Sequence, residues 1–423
     1  MPVGTVHIIG AGLAGLSAAV HLTASGHKVQ LYEAGQHAGG RCRSYHDKEL
    51  DCLIDNGNHL MLSCNEAALS YLMIIGAEDT LQIAKAPTFP FMDLQTGKSW
   101  TLKMGLGRFP RWIFDADARI PDTTWQDYLS ALSIMTANRW ETVAQRLETE
   151  STLYKRFWQP LAVAIMNTQA EEASAAVFAN VLREAFGAGG IGCKPVVVKD
   201  GLSQTFVEPA ERFLKKHHVD IHYGKRLRGL DIEGDEIKAL HFADEDIKLA
   251  EWDWVVLALP AWVVNDILPS LPTPQQFRSI VNAHFKIAVQ PKSETGILGL
   301  IGGNVEWIFE KPELISTTTS AAEKIVDLPA EELATLLWQD IAKVYGLDAA
   351  VVPTYRIVKE KRATFAATPE QIIRRPAIAV RHTNLVTCGD WTNTGLPSTI
   401  EGAVRSGRSA AEQIIPPRYV RKI

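Results

Sequence analysis

Three glycines near the N-terminus have the spacing of a loop that binds a diphosphate. Gly10, Gly12 and Gly15 stand between a run of β-branched residues and an alanine-rich segment. In such a strand–turn–helix unit the first glycine permits the tight turn, the second lets a pyrophosphate approach the backbone, and the third lets helix and strand pack closely. Backbone N–H groups at the helix start, including those of Leu13 and Ala14, carry partial positive charge toward the phosphates. The pattern predicts a dinucleotide bound at this turn.

An acidic residue ends the second strand of the same unit. Residues 5–9 and 27–32 are predicted strands, and Glu33 follows the second one, 18 residues beyond Gly15. A carboxylate at this place accepts hydrogen bonds from the ribose hydroxyls of a dinucleotide. A glycine-rich turn alone is often only structural, but here strand, turn, helix, second strand and acid follow one another in register. Glu33, where NADP binding would favour Arg or Ser, also argues against a 2′-phosphate.

A second glycine pair follows directly. After Ala34 the chain runs to Gly39, Gly40 and Arg41. This motif resembles that of the amine oxidase and phytoene desaturase superfamily of flavoproteins, and the resemblance implies FAD as the cofactor. It also implies that the glycine pair lets the chain pass close to the cofactor, and that Arg41 lies against the phosphate or ring end. Taken alone, the glycine pair would indicate no more than a flexible loop.

The C-terminal part carries a matching pair of motifs. Gly389 and Asp390 end a predicted strand, and Thr399, Ile400 and Glu401 begin a predicted helix. The same resemblance implies that Asp390 bonds the ribityl or phosphate region and that the Ile400 N–H points at the flavin C2 carbonyl. The helix dipole would then stabilise the negative charge of reduced flavin. Glu401 would bond ribose or nearby backbone. The alternative is a surface acidic turn followed by a capped helix.

The residue before Ile400 separates the branches of this superfamily. Amine oxidases carry a tyrosine at this position as half of an aromatic cage for the amine, whereas this chain has Thr399. Without the cage an amine loses its cation–π contact, and the segment looks instead like that of desaturases of long isoprenoids. Several passages resemble the hydroxysqualene dehydroxylases, the squalene-associated flavoproteins of hopanoid-making bacteria. They are residues 55–60, 157–161, 167–174, 361–366 and 389–397.

The resemblance implies a reaction. Reduced FAD would supply a hydride that replaces the hydroxyl group of hydroxysqualene, giving squalene. The turn that contains Gly57, Asn58 and His59 would return the chain to the flavin ring. His59 could protonate the leaving hydroxyl, because its ordinary pKa is adjustable by neighbours. Asp55 could orient His59 or act itself. The alternative is that Asp55 and His59 are satisfied polar groups that brace a glycine turn.

Two rival functions stay open at this point. A carotenoid desaturase of the phytoene type would use oxidised flavin to remove a hydride instead of supplying one. A non-catalytic prenyl-lipid-binding escort would need no flavin, and the intact motifs of Gly10, Glu33 and Asp390 argue against it.

These residues require an α/β fold. We expect a Rossmann-like FAD-binding domain of the amine-oxidase type, with an inserted substrate domain of mixed sheet and helices. By resemblance, the segment around Leu227 contacts adenine through its backbone. The expected FAD-binding domain is discontinuous and comprises residues 1–75, 190–262 and 355–423. The expected substrate domain comprises residues 76–189 and 263–354.

Composition narrows the partners. A formal charge of -5 leaves no excess basic field for nucleic acid. Five cysteines without a Cys-x-x-Cys pair indicate reduced thiols and imply neither a zinc site nor a disulfide framework. No apolar run approaches the ~20 residues that span a bilayer. The resemblance to hydroxysqualene dehydroxylases implies a protein of the bacterial cytoplasm at the inner face of the cytoplasmic membrane, with a lipophilic isoprenoid substrate and contact with upstream enzymes of squalene synthesis.

One segment could make that membrane contact. Residues 104–114 interleave arginines with aromatic side chains, a composition that suits a protein lying on anionic lipid. The alternative is a cap over the substrate site whose aromatic side chains face inward.

Overall fold

The computed structural model describes residues 4–380 and 382–415. Its helices are α1 (Leu13–Ala24), α2 (Glu66–Ile75), α3 (Ser130–Met135), α4 (Gln159–Met166), α5 (Ala175–Gly187), α6 (Glu208–Lys216), α7 (Ala261–Ile267), α8 (Ala330–Tyr345), α9 (Pro369–Ile373) and α10 (Ile400–Ile414). Its strands are β1 (Thr5–Ile9), β2 (Lys28–Glu33), β3 (Ser44–Asp47), β4 (Cys52–Asp55), β5 (Met61–Leu62), β6 (Leu81–Ile83), β7 (Thr88–Asp93), β8 (Ser99–Lys103), β9 (Pro195–Val198), β10 (Ile221–Tyr223), β11 (Leu227–Glu233), β12 (Glu236–Phe242), β13 (Asp246–Lys248), β14 (Trp254–Leu257), β15 (Phe277–Lys286), β16 (Ile297–Ile301), β17 (Trp307–Lys311), β18 (Leu314–Thr319), β19 (Tyr355–Phe365) and β20 (Leu385–Thr387).

A five-stranded parallel sheet joins the two ends of the chain. Its order is β10-β2-β1-β14-β20. Strand β14 lies between β1 and β20, so that Leu257 pairs with Ile9 on one side and Thr387 on the other. The carboxyl ends of parallel strands meet at one edge of a sheet, where ligands of open α/β folds bind. The N-terminal and C-terminal motifs therefore lie side by side.

Helices α1 and α10 pack closely against each other above this edge. The Ser17 hydroxyl of α1 donates to the Val404 carbonyl of α10 over 2.8 Å, and both residues are fully buried. Ala14 and Ala18 of α1 have small side chains, and Gly407 of α10 has none. The two helices can therefore approach closely at this contact. Both helices follow strands of the sheet, so both helix starts lie near its carboxyl edge.

A mixed seven-stranded sheet forms the second part of the fold. Its order is β19-β15-β18-β17-β16-β7-β8, with β16 and β7 parallel and the other neighbours antiparallel. One face packs on α8 through a core that includes Phe285, Ile308 and Trp338. The expected boundary at residue 355 differs from this arrangement, because β19 (Tyr355–Phe365) pairs with β15 and completes this sheet. The paired residues of β15 and β19 lie 70 to 88 positions apart in sequence, which no local pattern reveals.

A helical layer covers the other face of the seven-stranded sheet. It contains α3, α4 and α5, and its core includes the buried rings of Tyr154, Trp158 and Phe178. Arg156 from this layer lies over the Trp100 ring of β8, 5.6 Å from its centroid. Within the described residues, no helix is both long and apolar enough to cross a membrane.

Candidate active site

The first glycine loop has open backbone donors. Helix α1 can begin directly against the end of β1 only because residue 15 is glycine, since a Cβ there would lie 1.9 Å from the Gly10 carbonyl oxygen. No atom lies within 4 Å of the position that a Cβ on Gly12 would take. In the described part of the chain, the N–H groups of Ala14 and Gly15 have no hydrogen-bond acceptor. The loop can therefore donate to a diphosphate, as the spacing predicts.

Glu33 lies beside this loop at the end of β2. Its carboxylate accepts hydrogen bonds from the Ala11 N–H at 2.9 Å and the Gly35 N–H at 2.7 Å. The Lys225 N–H donates to the Glu33 carbonyl over 2.9 Å, which brings the start of β11 at Leu227 to the same corner. The acid that would bind ribose and the segment that would contact adenine are thus neighbours.

The second glycine motif joins the first to the C-terminal motif. The Gly39 N–H donates to the Ala11 carbonyl over 2.8 Å, which fixes the glycine pair on the phosphate loop. Arg41 donates to Asp390 Oδ1 over 2.6 Å and also to the Ala363 carbonyl. The Asp390 side chain is almost fully buried, whereas the Arg41 side chain is 42% exposed and keeps donors for a ligand. Residues 349 positions apart in sequence thus share one ion pair.

The start of α10 combines one capped and one free N–H group. Thr399 Oγ1 accepts the Gly402 N–H at 3.0 Å. The Ile400 N–H has no acceptor among the described residues, as expected for a donor reserved for the flavin. Glu401 is buried and accepts the N–H groups of Ala67 and Ala68 at the start of α2, at 3.2 and 2.9 Å. Glu401 thus makes backbone contacts, one of the two roles left open for it, and its bond to ribose stays a prediction.

Asp55 is held by three partners. Its Oδ1 accepts the Ser44 hydroxyl at 2.6 Å and the Leu202 N–H at 2.9 Å. Its Oδ2 lies 3.3 Å from the Lys311 ammonium of β17. A buried carboxylate paired in this way braces the turn that follows it. The contacts of Asp55 are those of the bracing alternative.

The turn after Asp55 lies against the seven-stranded sheet. Asn58 Nδ2 donates to the Thr317 carbonyl and to Thr318 Oγ1, both at 3.1 Å. Thr318 in turn donates to Asn282 Oδ1 over 2.9 Å. The ideal Cβ of Gly57 would lie 3.5 Å from Asn282 Nδ2, so the turn passes close to the sheet.

His59, in the same turn, is exposed to solvent. The pKa of His59 is lowered to about 4, mainly by desolvation, while Asp55 acts to raise it and Arg41 acts to lower it. The ring is therefore uncharged at neutral pH and holds no imidazolium proton to give. It can still orient a ligand through either ring nitrogen. Its catalytic role stays a prediction.

An aromatic row crosses the seven-stranded sheet toward this turn. Neighbouring strands pair Trp100 with Phe91, Phe91 with Gly299, Gly299 with Trp307, and Trp307 with Thr318. Directly paired residues lie on the same face. The Phe91 ring lies over Gly299, where a Cβ would come within 2.5 Å of it, and stands 5.7 Å from the Trp307 ring. The row ends at the threonine that binds Asn58.

Sequence reasoning missed one titratable group beside this row. Glu306 directly precedes Trp307, and its Oε2 accepts the Ser320 N–H at 2.9 Å. Desolvation raises its pKa to about 7, although hydrogen bonds from Ser320 act to lower it. The sequence around Glu306 does not indicate a raised pKa, because the residues that surround its side chain come from segments distant in sequence.

Comparisons with known proteins agree with this architecture. The family model described as flavin-containing amine oxidoreductase matches residues 13–415. A hydroxysqualene dehydroxylase from Rhodopseudomonas palustris is 44% identical over 97% of this chain and 98% of the relative. The chain belongs to the hydroxysqualene dehydroxylases, within the flavin-containing amine oxidoreductase family.

More distant members show how far the fold extends. A 15-cis-phytoene desaturase from Synechococcus elongatus is 24% identical over 97% of this chain and 95% of the relative. The solved cyclohexylamine oxidase from Brevibacterium oxydans superposes with a TM-score of 0.70 at 15% identity, covering 98% of this chain and 99% of that one. The expected α/β fold of the amine-oxidase type is confirmed, and the protein is a flavin-dependent oxidoreductase of this family.

Proposed function

We propose that this hydroxysqualene dehydroxylase family member replaces the hydroxyl group of hydroxysqualene with hydrogen, forming squalene, with FAD as its cofactor. The near full-length likeness to the Rhodopseudomonas palustris dehydroxylase carries the proposal. The desaturase relative is far less similar, which favours dehydroxylation over carotenoid desaturation.

The free donors and acids of the site suit FAD in an extended conformation. The N–H groups of Ala14 and Gly15 would hold the diphosphate, and Glu33 the ribose of the adenosine half. Arg41 would reach the phosphate or ring end, and the Ile400 N–H the flavin C2 carbonyl. When bound and reduced, FAD would supply a hydride to carbon.

The side chains of the site would control the leaving group and exclude water. An allylic hydroxyl leaves poorly unless it is protonated, and the carbocation left behind reacts with any nearby water. The aromatic row of Trp100, Phe91 and Trp307 offers apolar surface between the sheet and the helical layer. A polyisoprenoid chain fits such surroundings, whereas a charged amine would lack the cage tyrosine, because residue 399 is threonine.

The direction of hydride transfer tests the proposal. Anaerobic protein with reduced flavin should convert hydroxysqualene to squalene while the flavin absorbance returns. Absence of squalene would refute the proposed reaction. Bleaching of oxidised flavin by phytoene would instead support the desaturase, and a purified protein that takes up no FAD would support the escort.

We also propose that the protein works on the inner face of a bacterial membrane. Leu106, Phe109 and Phe114 are more than half exposed, whereas Trp112 packs edge-on against Tyr128 in the interior. The segment 104–114 thus has both an outward and an inward set of apolar side chains.

Basic groups accompany the outward set. Arg108 and Arg111 are exposed and form no ion pair in the described part of the chain. Unpaired arginines beside exposed aromatic rings suit anionic lipid. The exposed Trp125 ring lies 5.8 Å from that of Phe114 and extends the surface.

Flotation with vesicles tests the membrane contact. Wild-type protein should float with vesicles rich in phosphatidylglycerol, and the Phe109→Ser, Phe114→Ser double variant should not. Trp252→Ser removes a comparably exposed ring outside this surface and serves as the matched control. Equal flotation of all three proteins would refute the contact.

A further inference from the structure

We propose that Glu306 is the acid that protonates the departing hydroxyl group of the substrate. The inference rests on the proposed dehydroxylation and adds a catalytic residue to it. The acids suggested by sequence are less suited to this step, since Asp55 is paired with Lys311 and His59 is uncharged at neutral pH.

One set of contacts ties Glu306 to the turn near the cofactor site. The Glu306 N–H donates to the Thr318 carbonyl over 3.1 Å. The side chain of the same threonine receives a hydrogen bond from Asn58 over 3.1 Å. One residue of β18 therefore separates the backbone of Glu306 from the turn that contains Gly57 and His59.

A second set of contacts reaches Glu306 from the Arg41 side. Ser320 donates its N–H to Glu306, and the next N–H, that of Ala321, donates to Asn167 Oδ1 over 2.6 Å. Asn167 donates in turn to Thr364 Oγ1 over 2.9 Å. The preceding carbonyl, that of residue 363, accepts a hydrogen bond from Arg41. Glu306 thus lies between two segments that both bond to the expected cofactor-binding residues.

The surroundings of Glu306 keep its proton available. The side chain is partly buried, its Oε1 has no hydrogen-bond partner among the described residues, and no described Lys or Arg forms an ion pair with it. Asp340 of α8 is held by the N–H groups of Asn304 and Val305, the two residues that precede Glu306. Desolvation therefore determines its titration, and the pKa of about 7 leaves a large protonated fraction at neutral pH.

The proposed step balances as an acid-assisted heterolysis. The Glu306 carboxyl gives its proton to the hydroxyl oxygen, and the C–O bond breaks with both electrons leaving on the oxygen as water. When bound and reduced, FAD would supply the hydride, with its electron pair, that the allylic carbon needs. Glu306 remains as a carboxylate and takes up a proton from solvent. The aromatic row that contains Trp307 would exclude water, and an aromatic ring face near the cation would stabilise its positive charge.

A leaving group that needs no proton separates this role from a structural one. On hydroxysqualene, Glu306→Gln should lower kcat by about 10²- to 10⁴-fold with little change in KM, the usual range for losing a general acid. On the acetate ester of the same alcohol, Glu306→Gln and wild type should differ by less than about threefold. Glu310→Gln, on the strand that directly follows Glu306, is the matched control and should behave as wild type on both substrates.

The protonation state is tested without turnover. Infrared spectra of the flavin-bound protein near neutral pH should show a protonated carboxylic acid band that Glu306→Gln removes. If wild type forms squalene and Glu306→Gln does so equally fast, this inference fails while the proposed function stands. If wild type forms no squalene, the proposed function itself fails, and the infrared band still reports whether Glu306 holds a proton.

A second variant, Ser320→Ala, keeps the proposal testable if Glu306→Gln folds poorly. The Ser320 hydroxyl lowers the pKa of Glu306, so Ser320→Ala should shift the alkaline limb of the kcat profile to higher pH. An unchanged limb would overturn the assignment.

Discussion

The substitution Glu306→Gln should remove a pH dependence from the stability of the protein. In the folded state desolvation raises the pKa of Glu306 from 4.5 to about 7. Between these values the folded state holds a proton that the unfolded state has lost, so the free energy of unfolding falls as pH rises. Glutamine stays neutral throughout and does not take part in this loss.

The magnitude follows from the pKa difference. One pKa unit corresponds to about 1.4 kcal/mol, so the full rise would destabilise wild type by about 3 kcal/mol above pH 7 relative to below pH 4.5. Because the side chain keeps some contact with solvent, we expect about 2 kcal/mol. Glu306→Gln should therefore gain about 2 kcal/mol over wild type between about pH 5 and pH 8.

Urea unfolding of the flavin-saturated proteins, followed by tryptophan fluorescence, measures this gain. The free energies of unfolding of the two proteins are compared at several pH values across the range. The difference between them should grow as pH rises. A difference that stays constant within about 0.5 kcal/mol would refute the argument that Glu306 is a desolvated acid.

Three further substitutions test the cofactor site. Gly15→Val should give a protein without flavin absorbance, since its Cβ would lie 1.9 Å from a carbonyl oxygen of the turn; normal FAD content would contradict this. Arg41→Met should lower the free energy of unfolding by about 2 kcal/mol, because the buried Asp390 carboxylate loses its partner, and an unchanged urea midpoint would count against it. Glu401→Gln should cost about 1 kcal/mol through the weakened bonds to the start of α2, while leaving flavin absorbance in place; loss of flavin would instead indicate a direct contact.

The cofactor end was predictable because its signals are local. The spacing of Gly10, Gly12 and Gly15 and the position of Glu33 describe one strand–turn–helix–strand unit within a few dozen residues. The start of α10 is similar, since Thr399 caps the helix that it precedes. Each of these motifs depends on residues that are close together in sequence, so the sequence alone predicts the strands, turns and helix starts that they form.

The polar contacts between the seven-stranded sheet and the segments packed on it were not predictable in the same way. The role of Asp55 depends on Lys311, which lies 256 residues away on β17. The pKa of Glu306 depends on burial by segments that meet only in the folded sheet. The placement of β19 in that sheet likewise follows from its pairing with β15. In each case the local sequence predicts the secondary structure, whereas the role of the residue or strand depends on a partner that is distant in sequence.

The order of the central parallel sheet has a consequence for synthesis on the ribosome. Strand β20 and helix α10 occupy residues 385–414, yet they complete a sheet that begins with residue 5. A nascent chain can form the early helix–strand unit, but Arg41 meets Asp390 only when the last segment has emerged. Cofactor capture is then one of the last events in the maturation of the chain. A premature stop before residue 385 should leave a polypeptide that cannot retain flavin, however much of the remainder has folded.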